Sequence, residues 1–154
     1  MMKLLDAAAI AQDPTAVKQF FQERNLLHKH APHCTEVGCD CTMTEVKRGR
    51  NDDTIWRCPL HKGHKLSICT NSFFYNSNLS LGNLFLLMYL WSYSIAAHTA
   101  ESMLGISNNT VRQWYQYCRD VCSNYLVTHP FQIGGPGIVV QVCSNYLVTH
   151  PFKI

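Results

Sequence analysis

Five cysteines and five histidines crowd into residues 28–69 of this 154-residue chain. Thiolate and imidazole are the ligands a structural zinc ion takes, four of them in a tetrahedron, usually as two pairs at short spacing. Cys58-x-x-His61, in the run WRCPLH, makes one such pair. The other must come from Cys34, Cys39 and Cys41. Cys34-x4-Cys39 spans a knuckle comfortably, and Cys39-x-Cys41 is tighter. The 18 residues between Cys39 and Cys58 leave room for a hairpin, which is the layout of a zinc ribbon. His64 and Cys69 are spare candidates. The alternative is a set of buried thiols with histidines on the surface. Eight cysteines would also permit disulfides, but only in a secreted chain. The start, MMKLLDAAAIAQDP, carries Asp6 inside what would be an apolar leader. A reducing compartment, not secretion, is therefore expected.

A second constellation lies in IAAHTAESMLGISNNTVRQWYQYCRD, from residue 95 onward. It reads as two helices around a tight turn. Ala97, Ala100 and Leu104 share one face of the first helix. Gly105 can take the left-handed conformation that ends it. Ile106 plugs the turn, and Ser107 caps the next helix. Val111, Trp114 or Tyr115, Cys118 and Cys122 form the inner face of that second helix. Asn108, Asn109, Arg112, Gln113, Gln116 and Arg119 are left on outward faces. A helix presented beyond a tight turn can enter a major groove and offer such side chains to base edges or phosphates. The alternative is a helical hairpin whose polar face is simply solvated.

Catalytic chemistry finds no matching residues. Metal-assisted phosphoryl transfer needs carboxylates that converge on the ions. Beyond residue 71 the only acidic residues are Glu101 and Asp120, both on the predicted helix pair. No nucleophile motif is present either, so no catalytic residue and no catalytic magnesium are expected.

Other elements must position these groups. Residues 3–11 read as a short helix. Asp13-Pro14 starts another, with Val17, Phe20, Phe21, Leu26 and Leu27 on an apolar stripe. The sequence from Cys41 to Trp56, with KRGRNDD in the middle, reads as two short strands around a polar turn. Lys47, Arg48 and Arg50 in that turn could hold backbone phosphate; the alternative is a solvated loop. Residues 66–100 contain no charged side chain, and LFLLMYLW at 84–91 is apolar on all sides. A membrane span needs about 20 apolar residues. Polar residues flank this run, so a buried helix capped by Ser80 is expected, with a single-span membrane protein as the alternative.

Charge supports the same division. Charged residues make up 15% of the chain, against roughly 25% in an average soluble protein. Only five of them fall after residue 70, which excludes a highly charged nucleic-acid tail. The net charge of +3 permits an acidic partner without demanding one. The tail also carries a repeat: VCSNYLVTHPFQI at 121–133 returns as VCSNYLVTHPFKI at 142–154. Two copies are too few for a solenoid. So close a copy reads as a recent duplication of coding sequence, or an error in it.

Taken together these residues resemble one family, the Merlin-type DNA transposases and their bacterial insertion-sequence relatives. The resemblance runs from about Phe20 to Val140. It takes in FFQERNLL, CDCTM, WRC at 56–58, LSICTNSFF at 66–74, LSLGNLFLLMYLW, the LGISNNTVRQWYQYCRDVC helix pair and IGGPGIVVQ at 133–141. Cys69 stands where the family usually has Arg. The resemblance implies a zinc-ribbon-like segment and a helix-turn-helix that recognise the terminal inverted repeats of the element. It also implies a ribonuclease-H-like domain downstream with three acidic residues. Here the chain turns into the duplicated copy at Cys143, where the first catalytic Asp would follow.

The expected protein is mainly α, with a small zinc-ribbon-like β hairpin and a helix-turn-helix DNA-binding architecture. Its expected divisions are N-terminal helices at 1–30, a zinc-ribbon-like segment at 31–75, the helix-turn-helix region at 78–129, and a truncated domain start with duplicated tail at 130–154. The expected function is DNA binding by the front of a cut-and-paste transposase that lacks its catalytic acids. The alternative is a decayed transposon-derived product. Expected partners are double-stranded DNA and a second copy of the chain, not a membrane. The expected location is the nucleus in a eukaryotic host and the cytoplasm otherwise.

Overall fold

The computed structural model describes residues 2–48 and 53–130. Helices dominate: α1 (Leu4–Gln12), α2 (Pro14–Glu23), α3 (Leu81–Ser92), α4 (Ala97–Leu104) and α5 (Asn108–Thr128). A small sheet is built from β1 (Thr44–Arg48), β2 (Asp53–Arg57) and β3 (Lys65–Ser67). The chain divides into two compact units, with the boundary between Phe85 and Leu86, inside α3.

In the first unit the corner between α1 and α2 is set locally. The Asp13 carboxylate accepts the Thr15 N–H at 2.9 Å, and Pro14 occupies the first helical turn, where its missing N–H costs nothing. That start phases α2 so that Val17 and Phe21 turn inward and are fully buried. Phe21 packs on Phe74 with ring centroids 4.6 Å apart, and Phe20 meets Phe85 edge-on at 4.8 Å. Edge-on and tilted contacts suit the ring quadrupoles. Gly82 brings the first turn of α3 against the backbone of Ala11; a Cβ there would run into that carbonyl oxygen. The Lys18 ammonium pairs with the Glu45 carboxylate and ties α2 to β1.

The sheet runs β1-β2-β3, antiparallel throughout. Thr44 lies opposite Arg57 and Val46 opposite Ile55, while Trp56 lies opposite Leu66. The β1–β2 pair matches the expected hairpin. The third strand is not readable from sequence: three residues are too few to show an alternating pattern.

The Ser80 hydroxyl accepts the Asn83 N–H at 3.2 Å and starts α3. Leu84, Phe85, Leu87 and Leu90 are buried along it. Among the described residues no helix is long and apolar enough to cross a membrane. In the second unit Gly105 ends α4 at φ 65°, where an L side chain is strained, and its N–H reaches the Glu101 carbonyl at 2.8 Å. Ser107 caps α5 through the Thr110 N–H. The Asn108 amide donates to the Glu101 carboxylate at 2.8 Å and latches the turn. Ile106 is buried beneath it, and Val111, Trp114, Tyr115 and Cys118 form the buried face of α5. The first repeat copy supplies the last turns of α5, Val121 to Thr128. The second copy at 142–154 and the glycine-rich run at 133–141 lie outside the described residues.

Candidate metal centre

Two loops of similar construction carry the candidate ligands. The first runs from Cys34 to Cys41 and is closed by the Cys34 N–H on the Cys41 carbonyl at 2.9 Å. Gly38, at φ 79°, permits the reversal, and the Cys39 N–H returns to the Glu36 carbonyl at 3.0 Å. The second runs from Cys58 to His64, closed by the Cys58 N–H on the His64 carbonyl at 3.2 Å. Within it the His61 N–H points at the Cys58 sulfur at 3.2 Å. The β1–β2 register places the residues after the first loop beside those before the second, so the two loops face each other.

The ligand atoms of Cys34, Cys39, Cys58 and His61 all lie within 4.8 Å of one another. The Cys39 and Cys58 sulfurs are 3.7 Å apart, and the Cys58 sulfur is 3.9 Å from His61 Nδ1. From the usual zinc–sulfur and zinc–nitrogen bond lengths, a tetrahedron has edges of about 3.8 Å between two sulfurs and about 3.6 Å between sulfur and nitrogen. The cluster therefore already has the size of one metal coordination sphere. The seven described cysteines are all free of disulfides.

Packing shows why a metal would matter. The buried core of this module is Cys34, Met43, Trp56 and Cys58, with Ala31, Cys39, Cys41 and Leu66 packed around it. Two of those four buried side chains are thiols, so little apolar surface is left to hold the loops together. Modules this small commonly depend on a metal or a disulfide.

The electrostatics point the same way. Burial pushes the Cys58 thiol up, but the N–H groups of His61 and Leu60 and the side chains of Cys34 and His61 outweigh it, and the value falls to about 6. Cys39 is also lowered, chiefly by the Cys41 N–H. Burial raises Cys34 to about 11 and also raises Cys41. His61 is raised by hydrogen bonding to Cys39 and Cys58. Lowered thiols beside a raised imidazole are groups whose protons a divalent cation can displace.

Of the five residues predicted from spacing, Cys34, Cys39, Cys58 and His61 converge. Cys41 does not join them as a ligand. It serves the site through its backbone, whose N–H supports the Cys39 thiolate and whose carbonyl holds Cys34. Of the spare candidates, Cys69 is not part of the group, but His64 Nδ1 lies 3.0 Å from the Cys34 sulfur.

The predicted DNA-contacting residues of α5 are gathered on one side. Asn109, Arg112, Gln113, Gln116 and Arg119 are all exposed, at helical spacings of three and four that define a single face. The face is braced by side-chain bonds: Gln113 to the Tyr117 hydroxyl at 2.7 Å, Gln116 to Asp120 at 2.7 Å, and Arg119 to the Gln116 oxygen at 2.7 Å. Lys47 is exposed on β1, and Arg48 ends that strand. Arg50 lies outside the described residues.

No family model, curated protein or solved structure matches this chain.

Proposed function

We propose that this chain is a zinc-stabilised DNA-binding module, the front part of a Merlin-type transposase. The observation that carries the reading is the exposed face of α5, with its run of Asn, Gln and Arg side chains directly beyond a capped, glycine-closed turn. In this reading α4 and α5 act as a helix-turn-helix, and the first half of α5 enters the major groove. Arginine pairs there with guanine, and asparagine or glutamine with adenine. Arg112 and Arg119 are the basic residues of the face, and Lys47, Arg48 and Arg50 are read as backbone-phosphate contacts. The duplex is the terminal inverted repeat of the parent element.

The three thiols and one imidazole suit zinc, which favours four-coordinate nitrogen and sulfur sites. Bound zinc would cross-link the two loops and hold the sheet that carries Lys47. Residues after 70 hold only Glu101 and Asp120 as acids, so this chain reads DNA without cutting it.

The test is fluorescence anisotropy with a duplex bearing the ends of the element and a scrambled duplex of equal length. Binding should favour the element ends. Arg112→Ala should weaken that binding by about 1–3 kcal/mol and narrow the preference. Equal affinity for both duplexes, or no effect of Arg112→Ala, removes the reading.

A further inference from the structure

Two histidines stand beside the thiol cluster, and their geometries differ. His61 Nδ1 is 3.9 Å from the Cys58 sulfur, close to the edge of a coordination tetrahedron. His64 Nδ1 is 3.0 Å from the Cys34 sulfur. That is well short of the edge of about 3.6 Å expected between a sulfur and a nitrogen on one zinc. It is the separation of a hydrogen bond.

The rest of His64 is arranged to aim that bond. Its N–H is held by the His61 carbonyl at 2.8 Å, and its own carbonyl takes the Cys58 N–H at 3.2 Å. The backbone of His64 thus belongs to the second loop, while its ring reaches the first. Nε2, on the far side of the ring, is 3.4 Å from the Thr35 hydroxyl. A neutral ring that donates from Nδ1 to Cys34 and accepts at Nε2 from Thr35 satisfies both nitrogens.

We infer that His64 is a positioning residue of the metal centre, donating Nδ1–H to the Cys34 sulfur and bridging the two ligand loops without binding the metal. The inference rests on the proposed metal reading. Three thiolates and a neutral imidazole around a divalent cation leave one net negative charge. A donor to one sulfur spreads that charge and makes the thiolate less reactive. Partners of this kind typically tune metal affinity by about 10–100-fold.

The experiment loads the full chain with Co²⁺ in place of zinc and compares His64→Ala, His64→Asn and His61→Ala. In His64→Ala the visible ligand-field spectrum should keep its tetrahedral form. Metal affinity should fall by about 10–100-fold, and alkylation of Cys34, followed by mass spectrometry, should accelerate. His64→Asn, which keeps a donor, should recover part of both effects. His61→Ala should change the ligand-field spectrum itself.

A spectrum altered by His64→Ala but not by His61→Ala would make His64 the ligand and overturn the inference. Unchanged affinity and unchanged alkylation in His64→Ala would overturn it too. A wild-type chain that takes up neither Co²⁺ nor Zn²⁺ would instead remove the metal reading beneath it.

Discussion

The sulfurs of Cys39 and Cys58 lie 3.7 Å apart although they stand 19 positions apart in sequence. No disulfide joins them, and burial of Cys58 is complete. Holding two such groups together without a cross-link is costly unless something takes up their charge. The hairpin brings them there: β1 and β2 pair through five residues each, and the ligand loops start where that pairing ends.

Metal removal should therefore unfold the module selectively. One equivalent of zinc is expected per chain. A chelator should erase amide protection in β1, β2 and β3 while α4 and α5 keep theirs. Cys39→Ser should weaken zinc binding by more than about 100-fold, beyond the effect of removing an outer partner. Hydrogen exchange with and without chelator measures the first effect, and competition with a colorimetric chelator the second. Equal protection in both states would show that the thiols are merely packed.

Cys58 and Cys34 should titrate far apart in the metal-free chain. Cys58 is held near 6 and Cys34 near 11, against an ordinary value of 9.0. A pH titration followed by the cysteine 13Cβ chemical shifts should thus show Cys58 ionising first, near 6, and Cys34 last, near 11. The sign for stability follows. A depressed thiol lends stability that is complete above about 9 and lost as pH falls through about 6. Cys34, being raised, acts oppositely: its contribution is present below 9.0 and lost as pH rises through about 11. Coincident titration midpoints for the two cysteines would contradict this ordering.

Gly82→Ala should destabilise the chain even though Gly sits within a helix. Alanine normally gains roughly 0.5–1 kcal/mol over glycine in a helix interior. Here the added Cβ meets the Ala11 carbonyl oxygen, a backbone atom that cannot rotate away. Overpacking of this kind costs about 1–3 kcal/mol. A urea midpoint that rises on substitution would mean that α1 and α3 do not approach as closely as described.

Tyr115→Phe should be neutral or stabilising. The Tyr115 hydroxyl is buried without a hydrogen-bond partner, and burial pushes its phenol up to about 12. A buried polar group left unpaired costs about 1–3 kcal/mol, and phenylalanine removes the group while keeping the ring. Thermal unfolding should show a gain of about 1 kcal/mol. A clear loss would reveal a partner for the hydroxyl.

Much of the local design was legible in the residues alone. Asp13-Pro14, Ser80 and the Gly105–Ser107 turn announce their helix ends because capping depends on neighbours within three or four residues. The inner face of α5, with Val111, Trp114, Tyr115 and Cys118, follows from helical period. The pair Cys58 and His61 was readable for the same reason, since a three-residue step spans one loop.

What spacing left open was which partners that pair would meet. Cys34, Cys39 and Cys41 were all eligible from sequence. Only the fold directs the sulfurs of the first two into the group and turns Cys41 to backbone service. β3, the close approach of Gly82 to Ala11, and the reach of the His64 ring to Cys34 are likewise invisible in the chain. The amino-acid order by itself determined the caps, periods and ligand types, because those are properties of a few adjacent residues. Tertiary structure decided ligand choice and close packing, because both depend on distances between segments that only the closed hairpin and docked helices bring together.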